Sequence, residues 1–404
     1  MLPYLSKTQG IGGRLKESPE DFVVEEVPCD GKALAIGKRV KRKGKGSYTH
    51  FILEKRNWNT AQALKEIAWR LGVGGRRLSC AGTKDRVAHT AQLCSAWEIE
   101  PERLLKIDVK DVRINGAWKA GKEIAMGNLL GNKFTITVRG AVKGAGKHVA
   151  KIKKELGGRI PNYFGEQRFG STRANTHVVG KLIVLGDLES AMKNYLCFAG
   201  GEENPEARSA RERLAKEKSY MDALDYFPQH LKYERTAIRH LADFKNDYAG
   251  AFRKLPRGVS LMFVHAYQSL LFNELLALRI REGRVKPVKG DWACPAGKLG
   301  FPDAGKAKEN SKGTLCLPLI GYESEGIGEE GEALLRREGI SREGFRLKSL
   351  PELSARGGLR PAFVPLKGFS FAQKGGASVF KFMLPPGAYA TVAMHEFMDE
   401  KVVG

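Results

Sequence analysis

The chain has 404 residues, of which 42% are apolar and 28% charged, with a mean hydropathy of −0.34. This is the composition of a globular protein, and the length suggests two or three domains. Sixty-eight Lys and Arg against 45 Asp and Glu leave a net charge of +23, which suits a polyanionic partner, nucleic acid before an acidic membrane surface.

No long apolar span and no basic amphipathic helix flanked by lipid anchors is evident, so no membrane association is expected. Met1-Leu2-Pro3-Tyr4-Leu5 lacks a basic stretch followed by an apolar core and does not read as a signal peptide. The six cysteines (Cys29, Cys80, Cys94, Cys197, Cys294, Cys316) form no Cys-x-x-Cys pair, which argues against a zinc site and for reduced, mostly buried thiols in a cytoplasmic protein.

In chain order, residues 15–27 open with a Pro-initiated turn and run into an alternating, β-branched strand. From Gly31 to Ser47 a loop or hairpin arm follows, in which six of the eight residues Lys38–Lys45 are cationic. Such charge density predicts a mobile, solvated segment, and the overall charge favours contact with RNA phosphates. Thr49–Lys55 reads as a strand. A helix capped by Asn59 or Thr60 comes next, with Ala61, Leu64, Ile67, Ala68 and Leu71 on one face and Gly72 as its end.

A short strand leads into Ala81-Gly82-Thr83-Lys84-Asp85, and Ala91–Trp97 and Lys133–Arg139 alternate as strands do. Residues 148–156 look helical. Beyond about residue 185 charged helical segments such as Asn204–Tyr220 dominate, and Val264–Ile280 is a strongly apolar helix. Gly321–Gly344 is acidic and Gly-rich. Val379–Leu384 reads as a strand leading through Pro385-Pro386-Gly387 to a helix over Ala388–Phe397.

Two motifs carry possible chemistry. The first sets Asp85 between Lys84 and Arg86 on a loop after a strand. Nearby positive charge favours the ionised carboxylate, which can act as nucleophile or base. By itself the tripeptide is weak and better describes a surface ion-pair turn. The second is Pro161-Asn162-Tyr163-Phe164-Gly165-Glu166-Gln167-Arg168-Phe169-Gly170, two glycines around aromatic and polar side chains. Phe164 is suited to stack on a base. Asn162 offers a donor and an acceptor to a uracil edge, and Arg168 suits Asp85 or a phosphate. An aromatic loop folded into the core is the alternative. Neither Gly72-Val73-Gly74-Gly75 nor Gly170-Ser171-Thr172 has a nucleotide-binding context, no His-x-x-x-His pattern occurs, and His89 reads as structural. No cofactor and no metal is therefore expected.

The strings AGTKDRVAHTAQ and NYFGEQRFG resemble the two central signatures of the TruD family of tRNA pseudouridine synthases. KESPEDFVVEE (Lys16–Glu26), VHAYQSLLFNELLALR (Val264–Arg279) and LPPGAYATVAMHEFM (Leu384–Met398) resemble further family signatures in order, with Ala388 where many relatives have Ser. The resemblance implies Asp85 as the catalytic residue, a uridine pocket lined by Asn162 and Phe164, and Lys16 near the active site. Lys84 and Arg168 are assigned to phosphate or to Asp85.

It also implies an α/β (α+β) fold: a pseudouridine synthase core with a mixed, largely antiparallel sheet, built from residues 1–187 and 359–404. A mostly helical inserted domain over 188–358 would close over a cleft holding RNA. The implied activity is isomerisation of uridine 13 of tRNA. The thiols point to a cytoplasmic enzyme, and a monomer without an obligatory protein partner is the default expectation. A non-catalytic RNA-binding or RNA-folding protein is the rival reading. An RNA methyltransferase is a weaker one, because no strand–glycine loop–helix motif for its cofactor is present.

Overall fold

The computed structural model describes residues 2–201 and 203–399. The chain divides into two compact units. One comprises Tyr4–Pro161, a short excursion at Gly297–Phe301, and the chain from Phe363 onward; the other is essentially Asn162–Ala296 with Pro302–Ala362.

The first unit is organised by one sheet. Its strands begin with β1 (Phe22–Pro28), β2 (Tyr48–Arg56), β3 (Leu78–Cys80), β4 (His89–Trp97), β5 (Val112–Ala120) and β6 (Leu129–Val138). Strand β7 (Arg159–Pro161) follows helix Ala145–Leu156. Strands β8 (Trp292–Cys294), β9 (Lys308–Glu309), β10 (Thr314–Leu319) and β11 (Gly358–Pro361) belong to the other unit. The chain then returns through β12 (Phe363–Pro365), β13 (Lys367–Lys374) and β14 (Ala377–Leu384). The sheet order is β13-β14-β6-β1-β4-β2-β5, with β3 also on β4. Every pairing is antiparallel except β1 with β4, so the expected mixed, largely antiparallel sheet is present.

Strand β4 is the hinge of this topology. It pairs along its whole length with β2 on one side; on the other, β1 lies beside His89–Ala91 and β3 beside Cys94–Ala96. The Gly82–Ala88 turn joins β3 to β4. Helix Thr60–Arg70, capped by the Asn59 side chain on the Ala61 and Gln62 amides, covers one face. Its buried side is Thr60, Ala63, Ile67 and Ala68. Ala61 is exposed, one register away from the expected stripe, because the helix must turn Thr60 inward towards the Lys84 amide.

The far half of the sheet packs its Phe134, Ile136, Phe380 and Phe382 against helices Ala145–Leu156 and Ala390–Met398. The last helix also fastens the start of the chain. The Ile11 amide bonds the Phe397 carbonyl at 2.8 Å, the Gly12 amide that of Met398 at 2.9 Å, and the Ser6 hydroxyl the Glu396 carboxylate at 2.7 Å.

The basic arm departs from expectation. It is a strap laid along β5, the edge strand, with Val40 donating to the Asn115 carbonyl at 2.7 Å. Leu34, Ile36 and Val40 pack with Ile52 and Trp118, so alternate apolar residues hold the strap down despite its charge.

The second unit is mainly helical. Helix Arg257–Arg281 is its core, with Phe263, Val264, Tyr267, Leu271 and Phe272 buried. It is long and apolar enough to cross a membrane, but 67% of its most apolar window is buried inside the fold, as a core helix requires. Helix Thr176–Val184 packs closely on it: at Gly180 a Cβ would sit 2.0 Å from the Phe263 carbonyl oxygen. That contact draws the segment from Asn162 into the helical unit. The packing edges therefore fall at 161/162 and 362/363, where the sequence reading sets them at 187/188 and 358/359. The acidic Gly321–Gly344 stretch contains a helix, Gly328–Glu338.

Candidate active site

Asp85 sits in a turn held to the surrounding fold at Gly82, Lys84 and Asp85 itself. The Gly82 carbonyl accepts from Gln92 Nε2 at 2.9 Å, and Gln92 Oε1 in turn accepts from Thr60 Oγ1 at 3.0 Å. Thr60 Oγ1 accepts from the Lys84 amide at 3.0 Å. The Asp85 carbonyl accepts from Lys55 Nζ at 2.8 Å. Lys55 lies fully buried in β2; burial pushes its ammonium down to about 8, and the Asp85 carboxylate offsets part of that fall.

Lys84 and Asp85 diverge, as neighbours in extended chain do. Lys84 turns inward to Glu26, Nζ to Oε2 at 2.6 Å, and both side chains are buried. The second Glu26 oxygen accepts from the Leu93 amide. Lys84 is thus the internal anchor of the turn, and the expectation that it contacts substrate or Asp85 does not match this position. Arg86 is exposed.

The cation beside Asp85 is Lys16, whose Nζ is 2.7 Å from Asp85 Oδ2. Lys16 takes a positive φ of 58°, a conformation costing on the order of 1–3 kcal/mol for a residue with a side chain. Its ammonium also lies 4.2 Å from the Phe22 ring centroid. The turn that carries it is held by Asp21, which accepts from the Ser18 amide and pairs with Arg139 at 2.8 Å; the arginine holds the Asp21 carboxyl below its usual range. Among the described residues, Asp85 Oδ1 has no hydrogen-bond partner, and the side chain is 31% exposed. One carboxylate oxygen is fixed by a cation and the other is open to a reactant. That arrangement suits a nucleophile or a base.

His89 donates to Glu54 at 3.0 Å, and Glu54 also accepts from the Gly37 amide and from Asn115. Burial would raise Glu54, but the His89, Gly37 and Asn115 hydrogen bonds outweigh it and bring the carboxyl down to about 2. His89 is structural, as its sequence context suggests.

The loop after β7 belongs to the helical unit and is built with equal care. Asn273, on helix Arg257–Arg281, grips the Phe164 backbone from both sides: Oδ1 accepts from the amide at 2.9 Å and Nδ2 donates to the carbonyl at 3.0 Å. Phe164 is half-buried, edge-on to Phe272 at 5.6 Å. The Arg360 guanidinium lies 4.0 Å from its ring centroid and that of Arg168 5.6 Å. Arg168 also donates to Ser269 at 3.0 Å.

Asn162 is buried. Its Nδ2 donates to the Pro361 carbonyl at 2.9 Å, and its Oδ1 accepts from Arg360 at 2.8 Å. One donor and one acceptor position of the amide are therefore occupied, and an amide has a second of each. Lys55, Arg360 and Asn273 were not singled out from sequence. Lys55 alone left a trace there, sharing strand parity with Phe51 and Leu53.

Among the described residues no three His, Cys, Asp or Glu side chains converge as a metal site would need.

The profile of the family described as tRNA pseudouridine synthase D (TruD) matches residues 1–397. The chain belongs to this family. Proteins named "Probable tRNA pseudouridine synthase D" include one from Methanopyrus kandleri, 39% identical over 97% of this chain and 96% of its own. One from Archaeoglobus fulgidus is 35% identical, covering 99% and 98%. A crystal structure assigned to TruD of Methanosarcina mazei superposes with a TM-score of 0.78 at 33% identity, over 98% of this chain and 95% of that one. The TruD assignment thus agrees with the sequence resemblance and with the mixed α/β fold.

Proposed function

We propose that this chain converts uridine 13 of tRNA to pseudouridine, with Asp85 as its catalytic carboxylate. Members of the TruD family are isomerases of uridine in tRNA, and the chain matches that family along nearly its whole length. The observation that carries the residue assignment is the Asp85 carboxylate itself: one oxygen on Lys16, the other open, on a turn bonded to the fold at Gly82, Lys84 and Asp85.

The reaction breaks the uracil N1–C1′ bond, turns the base and rejoins it through C5. Cationic character grows at C1′ as the bond breaks, so an adjacent carboxylate stabilises it, as in glycosidases. Asp85 either adds to C1′ or removes the C2′ proton. Lys16 holds the carboxylate in place. The target base must leave its stack; Phe164 gives it a platform worth about 1–3 kcal/mol, and Asn162 holds its edge with the amide positions left after Arg360 and Pro361. Arg168 backs Phe164 and meets phosphate. Lys84 acts from within, through the turn. The catalytic core comes from both ends of the chain, with the helical unit inserted between them. The working enzyme is a cytoplasmic monomer that requires tRNA alone and no cofactor.

The test is to incubate unmodified tRNA transcripts with the protein and nothing else, then map pseudouridine. Wild-type protein should modify position 13. Asp85→Asn should make no product yet bind tRNA with unchanged affinity, and full activity in that variant would falsify the assignment. Binding without product in the wild type would favour the non-catalytic RNA-folding reading.

A further inference from the structure

We propose that the strap Lys38–Lys45 is a preformed rail for the sugar–phosphate backbone of RNA, separate from the residues that handle the target base. The inference rests on the chain acting on tRNA.

The strap is fixed at closely spaced points. The Leu34 amide bonds the Glu26 carbonyl at 2.9 Å, the Ile36 amide the Glu25 carboxylate at 3.1 Å, and the Gly37 amide Glu54 at 2.6 Å. Two glycines press it flat on the edge strand. A Cβ at Gly44 would fall 1.9 Å from the Lys119 carbonyl oxygen; one at Gly46, where φ is +126°, would fall 2.3 Å from that of Ala120. At its far end the Ser47 carbonyl accepts from the Glu98 amide at 2.8 Å. Next to that point Arg77 binds the Trp97 and Glu98 carbonyls and lies 5.4 Å from the centroid of the Trp97 ring, which is 46% exposed.

All six strap cations, Lys38, Arg39, Lys41, Arg42, Lys43 and Lys45, are exposed. Among the described residues only Arg42 takes an ion pair, with Asp30 at 3.1 Å; it also lies 5.0 Å from the Trp118 centroid. Like charges held this close repel one another, and a strap anchored to the sheet cannot spread them apart as a free loop would. The protein supplies almost no counter-charge, whereas a phosphate backbone does. Eight residues reach at most about 28 Å, enough to follow several phosphates of one strand. Trp97 at the end of the strap adds an aromatic face of the kind on which unpaired bases stack. Lysines on an edge strand also guard against strand-to-strand aggregation, and that role predicts a different outcome below.

The experiment measures tRNA binding by fluorescence anisotropy across a salt series, with pseudouridine formation followed in parallel. The variant is Lys41→Gln/Lys43→Gln/Lys45→Gln in the full chain. Each lost phosphate contact removes about 0.7–0.9 from the slope of log affinity against log salt, so the slope should fall by about 2. Affinity should weaken at least tenfold, with turnover at saturating tRNA unchanged. The corresponding triple Lys→Arg variant should keep slope and affinity, which shows that charge and not folding is at issue. Unchanged slope and affinity in the Gln variant would overturn the rail, as would aggregation with tRNA affinity intact, the mark of an edge guard. Equal loss of binding to polyglutamate would also overturn it, by showing a generic anion surface. A wild-type protein that forms no pseudouridine would instead refute the functional reading on which the rail rests.

Discussion

Lys55, wholly buried in β2, donates its ammonium hydrogen bond to the main-chain carbonyl of Asp85 at 2.8 Å. A lysine in this position spends its charge on the backbone of the turn and leaves the Asp85 carboxylate to Lys16. Lys55→Met keeps the bulk and removes the donor, orphaning a carbonyl at a cost of about 1–3 kcal/mol. Turnover should fall at least tenfold while the dissociation constant for tRNA stays within about twofold; stopped single-turnover assays and anisotropy separate the two. The pH dependence has a definite sign. Lys55 is lowered from 10.5 to about 8 in the fold, so between those values the unfolded chain binds the extra proton. Wild-type stability relative to Lys55→Met should therefore rise with pH across that window, by roughly 3 kcal/mol at 1.36 kcal/mol per unit.

Lys84 and Glu26 form a buried ion pair, and removing one member of such a pair leaves an uncompensated charge. Lys84→Met should destabilise the protein by about 3–5 kcal/mol, whereas Lys84→Met/Glu26→Leu should recover most of that loss. Denaturant titration of the wild type, both single variants and the double variant reads the coupling. Additive losses would mean that Lys84 acts somewhere other than in this pair.

Glu54 joins the strap to the start of β4 through the Gly37 amide and His89. Its carboxyl is depressed from 4.5 to about 2, so the stability it contributes is complete above about pH 4.5 and disappears as pH falls towards 2. The amount is on the order of 3 kcal/mol. Thermal melts of Glu54→Gln should show a shallower acid limb than the wild type; parallel limbs would rule out the Glu54 contribution.

Arg360 binds the Asn162 carbonyl and side chain and lies over the Phe164 ring. Arg360→Lys retains a cation but not the planar fork. It should lower turnover about tenfold with little change in tRNA affinity, and Arg360→Ala should lower it further. If both variants matched the wild type in turnover, the Asn162–Phe164 loop would not depend on this clamp.

What could be read from the chain followed from strong local pattern. Strand β2 carries the apolar run Phe51-Ile52-Leu53, and the Asn59 cap and Gly72 bracket the helix after it. Strand β5 escaped notice because Asn115 and Gly116 interrupt its pattern; that glycine is there because a Cβ would fall 2.2 Å from the Val40 carbonyl oxygen of the strap. The strap is as exposed as its charge predicts, but that charge conceals the inward parity of Leu34, Ile36 and Val40, which pack it on the sheet. In the site, Asp85, Phe164 and Lys16 stood out through family resemblance, and Lys16 stands 69 residues from its partner. Local spacing carries no information about such a pairing. Adjacency misled at Lys84, because residues next to each other in an extended turn point apart.

The segment that carries Lys16 is tied down by backbone bonds to Phe397 and Met398 and by Ser6 to Glu396. Earlier residues hold the same segment too: Arg14 and Arg139 exchange backbone bonds, the Ile11 carbonyl accepts from the Val142 amide, and the Lys7 and Thr8 amides bond Glu155. The ammonium beside Asp85 is therefore placed by the last helix as well as by the sheet, and a change that loosens that helix acts on the reactive carboxylate from a distance.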